Sequence, residues 1–243
     1  MLSQPAFEVA HLATGGTLFP SASTFTRLLT MQPNPTFLNL PEEKKRRIEG
    51  AAADEFSDNG YRSASINAIV SKVGIAKGSI FQYFGDKKGL FLFIFGQSVD
   101  KVKAYLKEVR DATADAPLSI RLEETLKAGV NFTRKHPVIY RLYVRTLAEK
   151  EIPFRSEILT SIRRYSLEYL RSLLETARDK GELRDGVNLE AACFIIDASM
   201  DRFLQALTLP HMDGGLGIHN ADEDELNRRI KVLCDSLLSG VTP

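Results

Sequence analysis

The sequence predicts an all-α protein in two parts, and three observations carry that reading. Apolar residues recur at helical spacing from about residue 41 to 238, no stretch alternates in the manner of a strand, and the basic residues crowd toward one end. Residues 41–110 hold 13 Lys and Arg against 9 Asp and Glu, whereas residues 111–243 hold 18 against 21. One part is therefore basic and the other slightly acidic. A chain of 243 residues has room for both.

Residues 1–40 read as a disordered extension. They are rich in Thr, Ser and Pro, include Pro33-Asn34-Pro35 and show no sustained periodicity. Met31 offers an alternative start, which would make the residues before it an upstream addition. Pro41-Glu42-Glu43 opens the first helix, because proline fits a first helical position and early acids suit the helix dipole. Ile48, Ala52 and Phe56 share one face, and the helix ends near Asn59-Gly60. Its cluster Lys44-Lys45-Arg46-Arg47 suits phosphate and solvent equally.

The stretch from Ser65 to Leu90 organises the remainder. Ser65 precedes the apolar face of Ile66, Ile69 and Val70 and reads as an N-cap. Val73-Gly74-Ile75 interrupts the pattern, and a second short helix from Ala76 to Tyr83 turns Ile80 and Phe84 inward. Two short helices across a tight glycine turn make a helix-turn-helix. This spacing leaves Lys77, Ser79, Gln82 and Tyr83 on the outer side. A plain packing hairpin would share the glycine and the apolar spacing. What favours nucleic acid is charge: from Arg62 to Lys88 five basic residues stand against one acid.

Asp86 is placed to cap the next helix, which sets Lys87 beside its exposed N–H groups, where dipole and ammonium together would stabilise a phosphate. The run Leu90–Phe95 leaves a helix no side for water, so it is expected to lie buried where the two parts meet. Five more helices are expected over about 118–135, 137–149, 154–179, 189–206 and 222–238. The loop Asp213-Gly214-Gly215-Leu216-Gly217 reads as a flexible connection. The expected division is an extension (1–40), a helix-turn-helix domain (41–88), a linking helix (89–110) and a ligand-binding and dimerisation domain (111–243). The apolar breadth of 189–206 and 222–238 exceeds one core face. Pairing these helices with their copies, as a symmetric homodimer, accounts for the excess.

Cys193 and Cys234 sit in apolar helical contexts and read as buried small hydrophobes. The histidines His11, His136, His211 and His219 are scattered, so no metal is expected. No P-loop, dinucleotide fingerprint or nucleophile elbow is present, and no cofactor or enzymatic activity is expected. An all-helical small-molecule-binding enzyme, or an interaction protein without DNA, is the rival class. No uncharged apolar run approaches the ~20 residues of a membrane helix. Nor does the N-terminus combine a basic start with an apolar core, so a cytoplasmic protein without a membrane partner is expected.

With its flanking helices, the central stretch resembles the TetR family of bacterial transcriptional repressors. The matching residues are Ile48, Ala52, Phe56, Gly60-Tyr61, Ser65-Ile66, Ile69, Gly74 through Phe81, Tyr83-Phe84, Lys87 and Leu90. The likeness covers about residues 42–95; beyond it only the helical layout agrees. It implies a dimer on a palindromic double-stranded operator, with the second short helix in the major groove and a small-molecule effector in the C-terminal domain. By the same resemblance, Ser79 and Tyr83 would contact DNA, Lys77 would do so at the helix start, and Lys87 would hold a phosphate. Ser65 would cap its helix and also reach phosphate, and Gln82 would read a base if its face is exposed. Phe81 stands where the family usually has tyrosine, and Val70 where it usually has alanine.

For the effector, Phe132, Tyr140, Tyr143, Tyr169 and Phe194, with Phe154, Tyr165 and Phe203, supply aromatic surface for an apolar cavity or equally for core. Arg141 and Arg145, four apart, suit an acidic ligand or pairing with Glu149 and other surface acids. A hydrophobic or amphiphilic effector follows.

Overall fold

The computed structural model describes residues 31–242, and every regular element among them is helical. In order these are α1 (Pro35–Leu38), α2 (Glu42–Ser63), α3 (Ile66–Val73), α4 (Lys77–Phe84), α5 (Lys87–Ala112), α6 (Leu118–Lys135), α7 (Pro137–Ala148), α8 (Arg155–Asp179), α9 (Leu189–Thr208) and α10 (Glu223–Leu238), with one 3-10 turn at Pro210–Met212. Local chemistry sets the ends. Ser65 Oγ accepts from Ala68 N–H at 3.3 Å and starts α3, while Asp86 Oδ1 accepts from Gly89 N–H at 2.7 Å and starts α5. Asn188 and Asp222 do the same for α9 and α10.

The expected extension needs correcting where it enters the described residues; the rest of that expectation, residues 1–30, lies outside them. Pro35–Leu38 is a helix capped by Asn34, and Phe37 is 1% exposed. Its ring lies 4.8 Å from Phe84, 5.4 Å from Phe93 and 5.6 Å from Tyr83 between centroids. One buried aromatic outweighs the disorder that the surrounding Pro, Asn and Thr suggest, because it removes a large apolar area from water.

The end expected near Asn59-Gly60 is a kink. Gly60, at φ 73° and ψ 172°, breaks α2, and the chain resumes one more turn to Ser63. Only glycine adopts that backbone readily.

Two apolar cores result. The first gathers Ile48, Phe56, Ile69, Ile80, Phe84 and all six residues Leu90–Phe95, and it reaches into the C-terminal half through Leu142, Phe154 and Ile158. The second joins α6, α8, α9 and α10 through residues such as Leu122, Leu174, Ile196 and Ile230. Leu90–Phe95 is buried as expected, with no member more than 8% exposed. Cys193 and Cys234 are both buried, and burial pushes the Cys234 thiol up to about 12. The glycine-rich loop is tied by Asp213, whose carboxylate accepts from Gly217 N–H at 2.6 Å and Ile218 N–H at 2.5 Å.

Candidate nucleic-acid interface and effector cavity

The outer side of α4 differs from the expected one by one register position. Lys77 and Gln82 are exposed and Ser79 is half-buried. Tyr83 is only 6% exposed and does not face outward. Its ring packs on Phe37, and its carbonyl accepts from Asn34 N–H at 2.8 Å. Treating residues 31–40 as a tail removed the element that covers Tyr83, which is why helical spacing alone left it outside. Phe81 takes the vacated place: it is 42% exposed, beside Gln82 and one turn from Lys77.

The neighbouring cations divide. Lys45 bonds the Leu38 carbonyl at 3.1 Å and pairs with Glu42, and Arg47 donates to the Val73 carbonyl at 2.8 Å. Lys44 is half-buried and Arg46 exposed. Lys87 Nζ donates to the Arg62 carbonyl at 2.9 Å and lies 5.3 Å from the centre of the Tyr61 ring. Partial burial holds its pKa below the ordinary lysine value, against the opposing pull of Glu149 and Glu55. Ser65, besides capping α3, donates its own N–H to Glu55 at 2.8 Å.

Helix α7 joins this head to the C-terminal half. The Glu149 carboxylate, just past its end, accepts from Tyr61 N–H at 2.8 Å and Arg62 N–H at 2.7 Å, immediately after the Gly60 kink. Arg145 donates to the Asp58 carbonyl at 3.1 Å, and Arg141 pairs with the Asp58 carboxylate at 3.4 Å. The two arginines proposed for an acidic ligand therefore hold the head, and neither lines the cavity on the other side of α7. Their spacing also suited pairing with Glu149 and other surface acids; Arg141 pairs with the acid Asp58, whereas Arg145 reaches a backbone carbonyl.

The opposite face of α7 closes a cavity of about 230 Å³ among α5, α6, α7, α8 and α9. Its walls are mostly apolar, from residues such as Val102, Leu126, Leu142 and Leu204. Phe132, Tyr140, Tyr143 and Tyr169 all line it, as does Tyr165. Phe194 does not: it is 69% exposed on α9 and points to solvent. Phe154 and Phe203 are core residues.

Spacing did not single out the polar group on the cavity wall. Arg163 Nη1 meets Asp197 at 2.9 Å, and its Nη2 meets Asp201 at 2.6 Å and the Tyr143 hydroxyl at 2.5 Å. Tyr143 donates to Asp201 at 3.0 Å, Gln205 donates to Asp201 at 2.9 Å, and Ser166 donates to Asp197. Burial works against charge on Arg163, but Tyr143, Asp201 and Asp197 outweigh it and raise its pKa. The available signal was a pair of acids four apart, Asp197 and Asp201, in a mainly apolar stretch between Phe194 and Phe203. Tyr140, 8% exposed, has a buried hydroxyl with no hydrogen-bond partner. Burial first, and then Asp201, push its pKa up, so it remains a phenol.

Residues 48–94 match the family of bacterial regulatory proteins named for tetR. The helix-turn-helix stretch of this chain is thus a TetR-family domain of bacterial transcriptional regulators. Such a domain belongs to DNA-binding transcriptional regulators. A fatty acid metabolism regulator protein of Bacillus subtilis is 25% identical over 162 residues, 65% of this chain and 80% of that protein. A TetR family regulator from Chloroflexus aurantiacus superposes with a TM-score of 0.66 at 28% identity, over 87% of this chain and 99% of that one. The structure of FadR from Bacillus subtilis with stearoyl-CoA has a TM-score of 0.65 at 18% identity, over 80% of this chain and 98% of that one, and shares the fold. No described helix is long and apolar enough to cross a membrane.

Proposed function

We propose that the chain acts as a homodimeric cytoplasmic repressor that binds a palindromic operator and is released when a small amphiphilic effector enters the cavity. Residues 41–88 read the DNA, 89–110 link, and 111–243 bind effector and dimerise; no catalytic step is assigned. The observation that carries this is the exposed face of α4 in a family-matched helix-turn-helix: Lys77, Phe81 and Gln82 stand outside while Ile80, Tyr83 and Phe84 are buried. Gln82 has the amide geometry to read adenine, and Phe81 suits a thymine methyl. Lys77, Ser79, Lys87 and Ser65 are assigned to phosphate contacts.

Dimerisation is assigned to α9 and α10. Phe194, Ile195 and Val232 are 69%, 55% and 65% exposed, which a second copy would cover. The effector reading rests on the cavity, whose walls suit an apolar body, as the acyl chain of the ligand in the FadR structure would require.

The test is fluorescence anisotropy of the purified chain on duplexes from the DNA flanking its own gene, across salt concentrations. Saturable, salt-sensitive binding to one palindromic site, at two or four chains per duplex, is expected. Equal, weak binding to every duplex by a folded protein would overturn the repressor reading.

A further inference from the structure

The cavity wall carries a charge imbalance that selects among amphiphiles. Arg163 is one guanidinium between two carboxylates, Asp197 and Asp201. Their side chains are only 12% and 20% exposed, so water does little to dilute the surplus negative charge. The other cation on the wall, Lys103, is 40% exposed, pairs with Asp100 at 3.8 Å and sits 5.0 Å from the Tyr165 ring centre. It does not neutralise the cluster.

The hydrogen-bond inventory points the same way. An ionised carboxylate offers about four acceptor sites. Asp201 receives Tyr143, Arg163 and Gln205, and Asp197 receives Ser166 and Arg163. Both retain acceptor capacity, while the Tyr143, Ser166 and Gln205 donors and both Arg163 Nη atoms are turned onto them. Tyr140 adds a buried hydroxyl without a partner on the same cavity wall. The cluster can take a donor, and the remaining cation on the wall, Lys103, pairs with Asp100 and lies against the Tyr165 ring and not against either carboxylate of the cluster.

Resting on the effector reading above, we propose that the effector is an apolar molecule with a hydrogen-bond-donating cationic head, of the protonated alkylamine class. The head meets Asp201, Asp197 and the Tyr140 hydroxyl, and the tail fills the aliphatic end. By this chemistry fatty carboxylates and acyl-CoA thioesters are disfavoured, although the fold is shared with a protein that holds one of the latter. A cavity of about 230 Å³ holds on the order of eight water-sized groups, so an eight-carbon chain is the right probe.

The experiment is isothermal titration, with parallel melting curves, of the full chain with octylamine, octanol and octanoate at neutral pH. Octylamine is expected to bind at least tenfold tighter than octanol, and octanoate weaker than both. The whole chain is net +1, so bulk charge cannot produce that order. Asp201→Asn should bring octylamine to within about threefold of octanol while octanol itself is unchanged. Tyr140→Phe, which removes only a hydroxyl, should weaken octylamine more than octanol and covers the case in which Asp201→Asn fails to fold. Octanoate binding as tightly as octylamine would overturn the head-group assignment and leave the cavity as effector site. Failure of all three, octanol included, would overturn both.

Discussion

The two apolar cores are built from different residues, and the difference divides the labour of the molecule. The first is rich in aromatics: Phe37, Phe56, Tyr83, Phe84, Phe91, Phe93 and Phe95 lie in it, with neighbouring ring centroids 4.8–6.1 Å apart. The second is mainly Leu, Ile and Ala. Interlocked rings tolerate little displacement without losing several contacts together, so this core resists internal deformation. The aliphatic half has a cavity beside it, walled by tyrosines and a charged cluster. Helix α7 serves both, with Arg141 and Arg145 facing the head and Tyr140 and Tyr143 facing the cavity. A ligand that shifts Tyr140 therefore acts on the helix whose end, at Glu149, holds the Gly60 kink.

The largest expected effect breaks the aromatic core at its outermost member. Phe37→Ala should destabilise the protein by about 3–5 kcal/mol in denaturant melts, since the ring is fully buried among other aromatic rings. DNA binding should fall with it, because Phe37 supports Tyr83 on the reading helix. A loss below about 1 kcal/mol would return residues 31–40 to the status of an appendage.

This residue also marks how far the sequence could be read. The helix-turn-helix was legible because its signals are local: Ser65 caps, Gly74 turns, and Ile66, Ile69, Ile80 and Phe84 repeat at helical spacing. Phe37 was not, since its partners Tyr83, Phe84 and Phe93 are distant in sequence and one aromatic among prolines carries no periodicity. For the cavity, the tyrosines were legible as aromatic surface. The roles of Arg141, Arg145 and Phe194 were not, because helical spacing states which residues share a face and not what that face meets. Asp197 and Asp201 needed Arg163, thirty-four residues from the first of them, to become a cluster.

A smaller effect tests the joint between the two regions. Gly60→Ala should cost about 1–3 kcal/mol from the positive φ alone. An added Cβ would also clash with the Glu149 carboxylate, so the clamp must open. Adding Glu149→Ala removes that clash and leaves the backbone strain. The double variant is therefore expected to recover part of the loss, and full recovery in melting experiments would show that the kink carries no strain of its own.

The smallest effect separates reading from holding in the head itself. Lys87 donates to the Arg62 carbonyl and lies over Tyr61, an arrangement worth about 0.5–1 kcal/mol where partly exposed. That leaves its remaining N–H groups available to a phosphate at the start of α5. Lys87→Met keeps the apolar stem and deletes the charge. If Lys87 holds phosphate, binding to specific and random duplexes should weaken alike, and the salt slope should fall by about 0.9 per contact. If it only pins α5 to the end of α2, the melting temperature falls slightly and the slope does not move. The lowered pKa sharpens the choice: a partly desolvated ammonium gains more from an incoming phosphate than one already surrounded by water, so a contact made here should be visible in the slope.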